Sequence, residues 1–129
     1  MIDIQHIHHV AILTDNYEVS KRFYTEILGF TIIAETYREE RQSYKLDLAV
    51  NGLYQIELFS FPEYRQRASF PEAKGLRHLA FAVKDVEASA TFLKEQNVDV
   101  QEVRVDELTG RKFVFFNDPN GQPLELYEE

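Results

Sequence analysis

Around the adjacent pair His8-His9, the run from Ile7 to Leu13 is apolar and rich in branched side chains, which predicts a strand. Its two faces carry His9, Ala11 and Leu13 on one side and His8, Val10 and Ile12 on the other. The period then lengthens. Val19, Phe23 and Ile27, and beside them Tyr24 and Leu28, recur at helical spacing, so Tyr17 to Leu28 reads as a helix that Gly29 ends. Phe30 to Tyr37 is a second strand. Tyr44 to Val50 and Tyr54 to Phe61 flank Asn51-Gly52, the strongest short-range hairpin signal. The same order follows again. Leu79 to Val83 reads as a strand, Val86 to Gln96 as a helix and Val98 to Val105 as a strand. Lys112 to Asn117 and Pro123 to Tyr127 are strands around the turn Asp118-Pro119-Asn120-Gly121.

The unit is βαβββ, and the chain writes it twice. A shift of 69 residues carries His9 to His78, Phe23 to Phe92 and Asn51-Gly52 to Asn120-Gly121. Each copy closes on an apolar strand holding one acid, Glu57 within Ile56-Glu57-Leu58 and Glu125 within Leu124-Glu125-Leu126, 48 and 47 residues after its histidine. A duplicated supersecondary unit normally stacks on its copy, because neither half buries its apolar face alone. Two copies related by a pseudo-twofold would bring two His and two Glu towards a common point, the arrangement of a metal site. The expected fold is α+β, with paired βαβββ modules whose sheets curl into a cup. One domain spans residues 1–129: module one about 5–61, a connection 62–75, and module two about 76–129. The connection is polar, with two prolines and the pair Arg65 and Arg67, and reads as a link that doubles as a lid.

Composition narrows the chemistry. An apolar share of 44% with 7 Tyr and 10 Phe is globular, and a chain of 129 residues buries roughly two-thirds of its surface on folding. The net charge of −8 and the lack of any basic cluster argue against nucleic acid. There is no cysteine, so disulfides, thiolate metal sites and thiol catalysis are excluded. The amino terminus lacks the basic and apolar regions of a signal peptide, and no apolar run approaches the ~20 residues of a membrane helix. A cytoplasmic home fits these features.

The motifs HHVAI, RFYTEILGF, IELF, RHLAFAV and FFNDPNGQPLELYE, taken together and in this order, resemble the vicinal oxygen chelate superfamily in its small single-domain form, and glyoxalase I in particular. The resemblance runs from His9 to Glu129. It implies the glyoxalase/bleomycin resistance/dioxygenase fold, a homodimer, and one divalent metal ion held by His9, Glu57, His78 and Glu125. Two imidazoles and two carboxylates suit Zn, Ni, Co, Mn or Fe. The activity it implies is that of a metal-dependent lyase or isomerase. Such an enzyme moves a proton beside a metal-bound carbonyl or enediolate of a small substrate, with Glu125 or Glu57 as the base and Glu125 favoured.

A charged Glu57 between Ile56 and Leu58 is costly unless paired or metal-bound, and Glu125 repeats the argument. His6 and His8 read as surface residues, and Glu128 and Glu129 as a solvated tail. Tyr44, Phe59, Phe61, Phe113 and Tyr127 read as core or as the lining of a substrate cup. Arg65 and Arg67 read as solvated side chains or as a clamp for an anionic substrate group. Glutathione-using glyoxalases carry an Arg where this chain has Leu13, and an Asn where it has Phe61, so strict glutathione dependence is not expected. Relatives with three ligands, the extradiol dioxygenases and thiol transferases, need no acid at position 57. Methylmalonyl-CoA epimerases often have Gln there. Metal-free antibiotic-binding modules of the fold lack the ligands altogether, and metal content separates that reading from the enzymatic ones.

Overall fold

The structure, a computed structural model, describes all residues 1–129. The chain forms two compact units, Met1–Arg65 and Gln66–Glu129. In the first, β1 (Val10–Thr14) leads to α1 (Tyr17–Arg22), which continues as a π-helical turn over Phe23–Ile27. Then come β2 (Thr31–Arg38), a 3₁₀ turn (Glu39–Arg41), β3 (Ser43–Val50) and β4 (Leu53–Ser60). The second repeats the order with β5 (Leu79–Val83), α2 (Val86–Glu95), β6 (Arg104–Val105), β7 (Lys112–Asn117) and β8 (Pro123–Glu128). Each unit is thus βαβββ. Its four strands lie in the spatial order β1-β4-β3-β2 and β5-β8-β7-β6. The first and last strands of each unit run parallel and the other neighbours antiparallel, so the sheets are mixed and the fold is α+β.

Both helices start from the same device, 69 residues apart. The Asn16 side chain accepts from the Val19 amide at 3.2 Å, and the Asp85 side chain accepts from the Ala88 amide at 2.9 Å, each satisfying an amide that the first turn leaves unpaired. The first helix does not stay α-helical as its spacing predicts. The Thr25 hydroxyl donates to the Lys21 carbonyl at 2.7 Å, and the Leu28 amide reaches back five residues to the Phe23 carbonyl at 3.0 Å. The wider turn buries both Phe23 and Tyr24. Phe92, the repeat of Phe23, stays on an ordinary helix and is exposed, so the repeat in sequence is not a repeat in packing.

Asn51-Gly52 makes the expected turn. Both residues have positive φ, 49° and 83°, the combination a two-residue hairpin loop requires. Two strands depart from expectation. β1 begins at Val10, not Ile7, because its parallel ladder on β4 starts at the Val10–Ile56 pair, just past a β-bulge at Gln55. The predicted strand Val98–Val105 is largely irregular. Asn97 turns left-handed (φ 62°), the Val98 amide closes the helix on the Leu93 carbonyl, and the chain then meets β7 at single points before the short pair at β6. The segment from Phe61 to His78 holds no regular element.

The core of the first unit is an aliphatic layer on β1, β3 and β4 (Ile12, Leu46, Leu48, Ile56, Leu58) covered by Tyr17, Phe23 and Tyr24. That of the second is Val114, Phe116, Leu124 and Leu126 with Val86, Ala90 and Leu93 of α2. No helix is long and apolar enough to cross a membrane.

On the helix side of the first unit, the Glu35 carboxylate accepts from the Tyr17 hydroxyl at 2.5 Å and pairs with the Lys21 ammonium at 2.7 Å. These two partners hold Glu35 below the usual carboxylate range, and Glu35 in turn raises Lys21. A lowered carboxylate stabilises the fold at pH above its unfolded pKa and stops doing so as pH falls through its folded pKa. A raised lysine does the reverse, and its contribution is lost as pH climbs through the folded value. Glu35→Gln should therefore cost about 1 kcal/mol or less near neutrality, given the partial exposure of the pair. The difference from wild type should close in acid, below the ordinary carboxylate range, and narrow again above the ordinary lysine range. Urea titrations at pH 3, 7 and 11 (roughly the three regimes) check this; a constant difference would contradict it.

Candidate functional site

His9 stands one residue ahead of β1 and Glu57 is central on β4. His9 Nε2 lies 2.8 Å from Glu57 Oε2. In the second unit His78 stands one residue ahead of β5 and Glu125 is central on β8, with His78 Nε2 3.0 Å from Glu125 Oε2. The parallel pairing of the first and last strands does this in both units: Ala11 pairs with Glu57 and Ala80 with Glu125, so each histidine and acid share a sheet face. Both acids are almost wholly buried, and both histidines are about one-third exposed. The four residues singled out from the sequence are thus brought together as two His–Glu pairs. No group of three or more His, Asp or Glu side chains is clustered to hold a metal ion.

The pairs differ in what surrounds them. Glu57 Oε1 accepts from the Tyr54 hydroxyl at 2.7 Å and meets the Lys45 ammonium at 3.0 Å. Both partners also engage Asp47, Tyr54 at 3.0 Å and Lys45 at 3.1 Å. Burial pushes the Glu57 pKa up, but Tyr54 and Lys45 outweigh it and hold the carboxyl below its ordinary range. Burial and the bond to Glu57 push the Tyr54 hydroxyl up, so it stays a donor, and Glu57 and Asp47 keep Lys45 charged. Glu57 therefore presents one oxygen to His9 while the other is pinned.

Nothing comparable holds Glu125, whose carboxylate has His78 as its polar partner. The residue paired with it across β7 is Phe115, where Asp47 stands opposite Glu57. The Phe115 ring packs edge-on against the His78 imidazole, centroids 5.0 Å apart. His78 Nδ1 is buried without a hydrogen-bond partner, an arrangement that calls for a ligand or water.

Lys45, Asp47 and Tyr54 carry no sequence signal of their own. Lys45 and Asp47 alternate with Leu46 and Leu48, which reads as a solvated strand face. The other candidates fall out as follows. His8 Nδ1 lies 2.8 Å from His9 Nδ1 and its ring tilts on Tyr54, so His8 touches the pair it was expected to face away from; His6 stacks on His8. Tyr44 stacks on Tyr17 and is tilted against Tyr37. Phe59 and Phe61 stack on one another beneath the Arg38 guanidinium, and Phe113 stacks on Tyr127 beneath Arg104. Arg67 is exposed but not free. It donates to the Leu76 carbonyl (3.0 Å), the Arg77 carbonyl (2.8 Å) and Gln122 Oε1 (3.1 Å), bracing the connection against the start of β8. Arg65 is exposed.

Paired βαβββ units, each with a His before its first strand and an acid in its last, define a class of protein, and comparison with known proteins agrees. Residues 6–126 match the Glyoxalase/Bleomycin resistance protein/Dioxygenase superfamily, and the chain belongs to that family. It is 55% identical over 129 residues to YaeR, an uncharacterized protein of Escherichia coli strain K12, covering 100% of both chains. It superimposes on the crystal structure of a glyoxalase family protein from Enterococcus faecalis with a TM-score of 0.89 at 46% identity, over 98% of this chain and 100% of that one. A manganese-dependent 2,3-dihydroxybiphenyl 1,2-dioxygenase of Geobacillus genomosp. 3 is 31% identical over 92% of this chain and 35% of its own length. Homologues at 28% identity include a 2-epi-5-epi-valiolone epimerase of Actinomyces sp. and a metallothiol transferase, FosB, of Staphylococcus saprophyticus, which the match covers over 77% of their lengths.

Proposed function

We propose that this chain is a divalent-metal-dependent lyase or isomerase of the glyoxalase type. In this reading His9, Glu57, His78 and Glu125 hold the ion, and Glu125 moves a proton at the carbon beside a carbonyl of a small substrate. The observation that carries the proposal is the doubled His–Glu pair. An imidazole nitrogen and a carboxylate oxygen converge at 2.8 Å in one unit and 3.0 Å in the other. Such gaps suit a hydrogen bond, and they equally suit neighbouring donors on one ion, which stand about 3 Å apart when the bonds are about 2.1 Å. The donor set, two imidazoles and two carboxylates, fits a borderline divalent metal. Relatives named for manganese or for a metallothiol reaction support the same choice.

The ion, when bound, supplies a positive charge that stabilises an oxyanion developing on the substrate carbonyl. The rest falls to the chain. Tyr54 and Lys45 hold Glu57 ionised and fixed, which suits a ligand and disfavours a base. Glu125, tethered only to His78, is free to take a proton from a hydroxyl-bearing carbon beside the carbonyl and return it to the former carbonyl carbon, while the hydroxyl proton passes to the oxyanion. One C–H bond breaks, another forms, and no electrons leave the substrate.

Elemental analysis of protein purified without chelator tests the reading. About one ion per chain is expected in the wild type, and Glu57→Gln or His78→Ala should remove it with circular dichroism unchanged. Metal content that neither substitution alters would refute the four-ligand site, and a wild type that takes up no Ni, Co, Zn or Mn would favour a metal-free binding module.

A further inference from the structure

The second unit holds a cavity of about 470 Å³ against His78. In a chain of net charge −8 its lining is notably cationic: Arg67, Arg77 and Arg104 stand against one acid, Glu72. Two of these arginines are committed. Arg67 braces the connection through Leu76, Arg77 and Gln122, and Arg77 pairs with Glu72. Arg104 has no carboxylate or carbonyl partner. Its guanidinium lies 5.0 Å from the Phe113 ring centre and 5.6 Å from that of Phe115. Stacking of this kind fixes the plane of the fork while leaving its N–H donors unused. The corresponding arginine of the first unit, Arg38, also lies over two phenylalanines but donates to Ser43 Oγ at 2.8 Å. Arg104 is thus a held, undischarged cation at the rim of a cavity. It shares one ring, Phe115, with His78, whose Nδ1 is itself unpartnered.

We propose that Arg104 is the anion-recognising residue of this cavity, and that the natural substrate is a small carbonyl compound whose far end carries an oxyanion, a carboxylate or a phosphate. The planar fork matches two oxygens of either group at once, and the two rings cover one side of an otherwise exposed guanidinium. A small molecule in the cavity that meets Arg104 lies beside His78 as well, since both pack against the Phe115 ring (5.6 and 5.0 Å from its centre), and His78 in turn meets Glu125. The reacting end of this inference rests on the proposed chemistry at those two residues; the anion subsite stands on the cavity alone.

The test is titration of the protein as purified with inorganic phosphate and, separately, with malonate, followed by amide chemical shifts and repeated after chelator treatment. Saturable binding that survives chelation is expected, weakened about tenfold or more by Arg104→Gln. Arg65→Gln, which removes the same charge elsewhere, should leave it within about twofold, since distant exposed charges are screened. Preference for phosphate over malonate, or the reverse, assigns the class of oxyanion. Binding that fails to saturate, or that Arg65→Gln weakens as much as Arg104→Gln does, overturns the subsite. So does binding that chelation abolishes while Arg104→Gln leaves it unchanged, although that result would support the metal reading. Arg104-dependent binding in a protein with no metal content would keep the subsite and sink the proposed reaction.

Discussion

Glu125→Gln is expected to lower proton transfer per bound ion by about 10²–10⁴-fold, the usual contribution of a general base. Gln keeps an oxygen beside His78 but cannot accept and return a proton. Glu57→Gln should behave differently: it should lose the ion first, and turnover only as a consequence. The expectation follows from what touches each acid. Glu57 Oε1 is held by Tyr54 at 2.7 Å and Lys45 at 3.0 Å, and the carboxyl sits below its ordinary range, so it is a poor proton acceptor near neutrality. Glu125 has no such tethers. The measurement is deuterium wash-in from D₂O at the carbon beside the carbonyl, by mass spectrometry, on substrates found by screening adducts of methylglyoxal and epimerase substrates. The rate is divided by metal content. Equal per-ion losses in the two variants would show that the acids are interchangeable and that the asymmetry of their surroundings has no catalytic meaning. Tyr54→Phe is the sensitive intermediate case. It leaves all four proposed ligands in place but removes one of the two groups that orient Glu57, and should weaken metal affinity by roughly 10- to 100-fold, as loss of a group orienting a ligand does.

The second large effect is on stability. Leu58→Ala should cost about 2–5 kcal/mol, the range for a fully buried leucine whose cavity cannot collapse. Leu58 has no exposed surface. It pairs across the sheet with Leu46, also fully buried, on one side and with Ile12 on the other. The three buried side chains form one row across β1, β4 and β3. Leu53→Ala on the same strand is the control. Leu53 is 64% exposed at the hairpin tip, and its loss should stay within about 0.5 kcal/mol. Urea unfolding of the three proteins, read as a midpoint shift at constant slope, checks the pair. A Leu58→Ala cost near that of Leu53→Ala would mean that the row is not the core of the first unit.

The sequence by itself determined a good deal. The 69-residue repeat identified two βαβββ units and the His and Glu of each, because period-2 and period-3.6 burial leave a legible trace and a buried acid in an apolar strand is conspicuous. Asn51-Gly52 located a hairpin whose two residues both need positive φ. Other features are decided by contacts that no local pattern encodes. The hairpin alone would set Asp47 opposite Ile56. The bulge at Gln55 adds one residue to β4, turns Glu57 to face Asp47, and brings Tyr54 to the same side of the sheet as Glu57, three positions away, where regular alternation would separate them. Lys45, Asp47 and Tyr54 become the surroundings of Glu57 only through that one-residue shift. The same limit explains Val98–Val105, whose branched residues predict a strand but whose ladder depends on where β7 offers unpaired groups. It explains Arg67 and Arg104 as well. Both stay exposed in the fold, yet one is committed to backbone carbonyls and the other is held over two aromatic rings, because register and packing decide which donors are left unused.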